Sequence, residues 1–154
     1  MFKTVREFKK AYNELKGKHA KQPYPKPTDF PMKKAGDLER LMYLHANMMR
    51  EWQDIPINLA RIDVKGTYIS GEGYRTTNAT KGVSDTWMTL YGCSICVEVK
   101  WKKDVVSDVQ KKFRRKQEAA GGQYYIVSTP EEWFILIDRL VGLASALWAT
   151  TNEN

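Results

Sequence analysis

The sequence predicts a mixed α+β domain in which helices flank a central, mostly antiparallel sheet of three or four strands. Three observations carry that expectation. Apolar residues recur at three-and-four spacing in four separate segments, as they do on one face of a helix. Between the second and third of these segments, apolar and polar residues alternate in short runs punctuated by glycine, as they do along strands. The chain has 154 residues, 42% of them hydrophobic, enough for one core and too few for two comfortable ones.

The elements follow in order. Phe2, Val5, Phe8, Tyr12 and Leu15 fall on one face of a helix over 2–16, which Gly17 should end. "KQPYPKPTDFP" then carries Pro23, Pro25, Pro27 and Pro31, too many for a helix or a central strand, so an extended linker is expected. Residues 1–35 therefore read as a basic helical arm with a proline-rich linker, and 36–154 as the domain proper. The residues leave open whether the arm docks on the domain, on a second copy or on nucleic acid. Asp37 can cap a helix from Leu38 to about Trp52 whose buried face carries Leu38, Leu41, Met42, His45, Met48 or Met49, and Trp52. On that face His45 is expected to be a hydrogen-bonded core residue rather than a ligand.

Pro56 marks the helix exit, and "INLARIDVKGTYI" reads as two strands broken near Lys65 and Gly66. Residues 70–82 read as a polar loop with Gly71, Gly73, Gly82, Arg75 and Lys81. It has neither phosphate-loop spacing nor a dinucleotide fingerprint, so it is an exposed loop or a substrate-contacting one. Past a hairpin, Ser107 and Gln110 form a capping box for a helix over 107–120, stopped at Gly121 and Gly122. "QYYIVS" is a short strand. "TPEEW" opens a last helix whose Trp133, Leu136, Ile137, Leu140, Ala144, Leu147 and Trp148 read as core or as an oligomer face.

The formal charge is +7, with cations gathered mainly in residues 3–34 and 100–116. Such an imbalance suits a polyanionic partner, since each neutralised phosphate releases counterions, and it equally suits a solvated cationic surface. No stretch is expected to reach the roughly 20 apolar residues of a membrane helix, and the N-terminus lacks a secretory h-region. A soluble, cytoplasmic protein with no membrane partner is the expectation. The only cysteines, Cys93 and Cys96, lie three apart on a strand and face opposite sides, so free thiols are expected rather than a disulfide or a zinc site.

The chemistry gathers in the hairpin "GVSDTWMTLYGCSICVEVKWKK". Ile95, Val97, Val99 and Trp101 alternate with Cys96, Glu98 and Lys100, which puts Glu98 and Lys100 on one face, roughly 7 Å apart. If Tyr91 and Gly92 form a two-residue loop, Leu90 pairs with Cys93 and Asp85 comes opposite Glu98. A four-residue loop would place Asp85 opposite Lys100 and diagonal to Glu98, and a three-residue loop would need a bulge. Opposed like charges destabilise a sheet, so something must offset them. Two carboxylates and an ammonium suit Mg²⁺ or Mn²⁺, which takes one or two carboxylates and completes its shell with water and substrate phosphate. Such an ion activates water and polarises a phosphoryl oxygen, while Lys100 stabilises the charge that develops. The competing reading is an exposed strand in which Lys100 only makes a salt bridge.

"KGVSD", ten residues, then "CVEVKWKK" and "SDVQKKFRRKQEAAGGQYYIV" resemble the VRR-NUC family of the PD-(D/E)XK nuclease superfamily. That pattern runs G-x-x-D, E-x-K, a helix bearing Gln, Gly-Gly and a short strand. The resemblance covers roughly 37–135, with Ser84 where the superfamily name has proline. It implies a restriction-endonuclease-like core with a mixed central sheet flanked by helices. It implies Asp85 and Glu98 as metal ligands, the Val99 carbonyl as a third, Lys100 as the catalytic lysine and Gln110 lining the site. Glu39 matches the family's early acid, reaching the metal directly or through water, although a first-turn acid also has a helix-dipole explanation. Gln110 likewise doubles as the capping-box residue. Beside such a site, Arg61, Arg75, Lys81, Lys102, Lys103, Lys111, Arg114 and Arg115 are expected to contact phosphates. The implied function is metal-dependent DNA cleavage, with branched DNA such as four-way (Holliday) junctions as the leading substrate and a homodimer as the working form. The alternative is a nucleic-acid-binding or assembly module that keeps the fold without turnover.

Overall fold

The computed structural model describes residues 2–18, 31–62, 66–69, 73–76 and 82–152, with side chains at 2–14, 31–62 and 82–150. The elements are α1 (Val5–Lys18), α2 (Ala35–Gln53), β1 (Ile57–Arg61), β2 (Gly66–Ile69), β3 (Gly73–Thr76), β4 (Thr86–Leu90), β5 (Cys93–Val99), α3 (Asp108–Ala119), β6 (Gln123–Val127) and α4 (Pro130–Asn152). A four-stranded sheet has the order β1-β4-β5-β6. Its first two pairings are antiparallel and β5 pairs with β6 in parallel, so the sheet is mixed. A parallel neighbour needs a crossover, and α3 supplies it.

The β4–β5 hairpin has the shortest possible turn. Tyr91 (φ 46°) and Gly92 (φ 77°) both take the left-handed conformation that a two-residue loop of the primed type requires. Leu90 therefore pairs with Cys93 and Thr86 with Val97. Thr86, Met88 and Leu90 are buried while Trp87 and Thr89 are exposed. Met88 and Leu90 join Ile57, Leu59, Ile95, Val97, Val99 and Val127 on the apolar side of the sheet. Helix α2 packs on β1 and β5, and α4 on β4 and β6. On the other side α3 packs on β6, where the rings of Phe113 and Tyr124 meet edge to face at 6.3 Å. β5 is covered on both sides, and Ile95 through Val99 are all buried.

Several expectations need correction. Helix α2 begins at Ala35, and Asp37 is not its cap but its third residue, where Oδ2 accepts the N–H groups of Lys33 at 2.9 Å and Lys34 at 3.2 Å. A carboxylate there neutralises two otherwise unpaired donors at the helix start. Helix α1 runs from Val5 to Lys18, so Gly17 does not stop it. Its start is set by Thr4, whose Oγ1 accepts from Glu7 N–H at 3.2 Å. The polar stretch 70–82 is not all loop, because Gly73–Thr76 pairs antiparallel with β2 as a separate two-stranded sheet. β5 ends at Val99 rather than Trp101, and Lys100 N–H donates to the Val127 carbonyl at 2.9 Å. On α4, Trp133, Leu136, Ile137, Leu140 and Ala144 are core, as one of the two expected readings has it, whereas Leu147 and Trp148 are 66% and 48% exposed and fall to the other, an outward face. Phe134 is fully buried as well. Pro130–Thr150 is also long and apolar enough to cross a membrane by length and composition, contrary to the expectation that no stretch would be.

Other expectations stand. Ser107 and Gln110 form the capping box of α3, and Gly121 (φ 82°) follows its end in the left-handed conformation. Thr129 caps α4 by accepting from Glu132 N–H at 3.2 Å. Both cysteines are free thiols, Cys93 half-buried and Cys96 buried. His45 lies in the core, its Nδ1 accepting from Trp133 Nε1–H at 3.1 Å.

Candidate functional site

The Tyr91–Gly92 turn sets the site. Counting back from Thr86↔Val97 carries Asp85 alongside Glu98, the arrangement that a two-residue loop predicts. Asp85 Oδ2 accepts the Val99 N–H at 2.8 Å, so the carboxylate is fastened to the β5 backbone one residue past Glu98. The Glu98 side chain is 1% exposed. An anion so deeply buried requires donors around it, and three converge on it. Lys100 Nζ lies 2.9 Å from Glu98 Oε1. Gln110 Nε2 donates to the same oxygen. The Tyr124 hydroxyl donates to Oε2 at 3.3 Å.

The electrostatics follow from that packing. Burial pushes the Glu98 carboxyl above its usual range, the Lys100 hydrogen bond opposes the shift, and the Asp85 charge adds to it. Burial and the neighbouring Glu98 push the Tyr124 phenol up as well, which keeps it a hydrogen-bond donor. Asp85, Glu98 and Lys100 thus bring two like charges and one opposite charge to one end of the β4–β5 hairpin. The negative excess suits a divalent cation.

The donor set fits a hard metal ion. The oxygens on offer are the carboxylates of Asp85 and Glu98, and among the described residues no group of three or more His, Cys, Asp and Glu gathers. Mg²⁺ is ordinarily held by one or two carboxylates, the rest of its shell being water and phosphate. What the structure records of Val99 at the site is its N–H, bound to Asp85, rather than its carbonyl. Glu39 sits on α2 and pairs with Arg61, Oε2 to Nε 3.1 Å. Both line a cavity with Thr86, the residue after Asp85.

The capping and site roles of Gln110 prove to be one. Its Oε1 accepts the Ser107 N–H at 2.9 Å, completing the cap of α3, while Nε2 reaches Glu98. Tyr124 went unnoticed in the sequence. It lies on β6, paired with Cys96 two residues before Glu98, and nothing in "QYYIV" says which of the two tyrosines faces the acid.

The candidate phosphate contacts fall into two groups. Lys102, Lys103, Lys111, Arg114 and Arg115 are exposed on the turn after β5 and on α3, beside the Glu98 network. Lys111 pairs with Asp108 at 2.9 Å. Arg114 pairs with Glu118 at 2.8 Å and lies over the Tyr124 ring, 5.9 Å from its centroid. Arg61 ends β1 on the far side of β4. Arg75 belongs to β3, its side chain outside the described set, and Lys81 lies outside the described residues. Among models of known protein families, curated proteins and solved structures, none matches this chain.

Proposed function

We propose that this chain is a Mg²⁺- or Mn²⁺-dependent nuclease of the PD-(D/E)XK type that hydrolyses DNA phosphodiesters, with branched DNA, four-way junctions included, as the first substrates to test. The observation that carries the reading is the meeting of Asp85, Glu98 and Lys100 at one end of the β4–β5 hairpin. A solvated salt bridge would not need a glutamate buried to 1%, with a second carboxylate close enough to raise its pKa. Lys100, Gln110 and Tyr124 offset part of the cost of that burial, and a bound cation would offset more of it.

In this reading Asp85 and Glu98 hold the ion, which supplies charge neutralisation at the phosphoryl oxygens and an acidified water. The Lys100 ammonium, fixed against Glu98, orients the attacking water and faces the negative charge that grows on the phosphoryl group. Gln110 and Tyr124 keep the Glu98 carboxylate in one rotamer, so the site needs no reorganisation when substrate arrives. Cations on α3 and at Lys102 and Lys103 hold the phosphates of the strand without reading its bases.

Plasmid, linear, flap and four-way DNA incubated with Mg²⁺ or with EDTA test the proposal. Cleavage should require the metal. Glu98→Ala and Lys100→Ala should each lower the rate by about 100-fold or more. Calorimetry should show metal binding retained in Lys100→Ala and lost in Glu98→Ala. Cleavage that survives Glu98→Ala would overturn the site assignment, and DNA binding with no cleavage of any substrate would favour a non-catalytic module.

A further inference from the structure

A cavity of about 310 Å³ lies between α2 and the β1 edge of the sheet. Gly36, Arg40 and Tyr43 line it from α2, and Leu59 and Arg61 from β1, with Thr86 at the start of β4. Its volume is at the lower end of what small-molecule sites occupy. Its chemistry is mixed in a particular way. Tyr43 leaves 48% of its surface open, which gives an aromatic face, and Leu59 adds an apolar wall. Arg40, Arg61 and Glu39 line it together, with Glu39 paired to Arg61. An aromatic platform with arginines beside it is what a single nucleotide needs: a ring to stack on and cations for its phosphate.

Position narrows the occupant further. Arg61 pairs with Thr86 across the β1–β4 ladder, and Thr86 follows Asp85 in the chain. The cavity therefore lies at the same strand end as the acid pair, on the α2 side of the sheet, with the Glu98 network on the α3 side. We propose that it takes one unstacked nucleotide of the bound DNA strand, base on Tyr43 and phosphate on Arg40 and Arg61. This rests on the nuclease reading and deepens it. A base inside an intact duplex cannot reach a pocket of this kind without being extruded, whereas a branch, bulge or single-stranded end offers one at little cost. The cavity is then the feature that selects interrupted DNA over continuous duplex.

Gly36 provides a test that leaves the fold intact. A Cβ built there meets no atom within 4 Å, and the residue lies in the first turn of α2, where leucine has the higher helix propensity. Gly36→Leu should fill the cavity with no loss of melting temperature. Fluorescence anisotropy in EDTA would compare a duplex carrying a one-nucleotide bulge with the same duplex whose bulge is abasic. The wild type should bind the base-containing bulge about tenfold more tightly. Gly36→Leu and Tyr43→Ala should each bring that affinity to the abasic level without changing the affinity for the abasic DNA. Equal affinities in the wild type, or a preference that survives either substitution, would overturn the inference. Cleavage by wild type that shows no base preference sinks the cavity assignment alone. A base preference in protein that never cleaves sinks the nuclease reading alone.

Discussion

The amide of Gln110 serves two partners, and only one orientation suits both. Its oxygen must face the Ser107 N–H and its nitrogen the Glu98 carboxylate, since an ionised carboxylate can only accept. One side chain thereby ties the start of α3 to the buried acid. His45 shows the same economy in the core. It accepts from Trp133 Nε1–H, and burial pushes its pKa down from 6.5 to about 3. The folded state thus holds a neutral imidazole where the unfolded chain binds a proton below pH 6.5. Between that value and about pH 3 the unfolded state carries more protons, so stability falls as the pH falls. From pH 7 to pH 5 this one group should remove about 2 kcal/mol. Urea unfolding of His45→Leu at both pH values checks it. The variant should lose about 1–3 kcal/mol at pH 7, because the Trp133 N–H is left without an acceptor. Its further loss on going to pH 5 should be smaller than that of wild type by about 2 kcal/mol. Equal losses in the two proteins would mean that His45 does not stay neutral.

Among the elements, α3 is held by a contact that has no side chain on one side. Gly82 (φ 80°) lies so close to the first turn of α3 that an added Cβ would stand 2.6 Å from both the carbonyl carbon and the oxygen of Val109. Both obstacles are backbone and neither can swing away. Gly121 has a similar φ of 82° and meets nothing within 4 Å, so it isolates the conformational cost, about 1–2 kcal/mol for alanine. Gly82→Ala should cost clearly more than Gly121→Ala in urea unfolding, and should speed hydrogen exchange in α3 as Gln110 parts from Glu98. Equal costs would show that α3 is free to shift. The contrast also explains what the sequence could reveal. Tyr91–Gly92 fixes the antiparallel register residue by residue, so the meeting of Asp85 with Glu98 could be counted out. No turn fixes the parallel pairing of β5 with β6 across α3, so Tyr124 could not be placed. β3 hid in a polar stretch because a four-residue strand is too short for alternation to show, and Asp37 was misplaced because a first-turn acid resembles a cap.

For the molecule as a whole, the open question in the sequence was where the N-terminal arm goes, and the burial of α2 answers it. Leu38, Leu41, Met42, Leu44, His45, Ala46, Met48 and Met49 are all buried, too wide an arc for one sheet face to cover. Helix α1 takes part of the remainder. Phe8 and Tyr12 are completely buried, the Phe8 ring 5.5 Å from His45 and 5.6 Å from Phe134, and the Tyr12 ring 5.4 Å from Trp52. An arm packed this way shares the core of the domain, although its other face is basic and exposed. Truncating a core phenylalanine leaves a cavity that the surroundings fill only in part, at about 3–5 kcal/mol. Phe8→Ala should therefore lower stability by that amount. Lys9→Ala, on the same helix but outside the aromatic cluster, should change it by less than about 0.5 kcal/mol. If α1 were only an appended DNA-binding segment, both substitutions would leave the urea midpoint unchanged and only DNA affinity would fall. Measuring midpoint and affinity on the same two variants separates an arm that completes the core from one that merely hangs beside it.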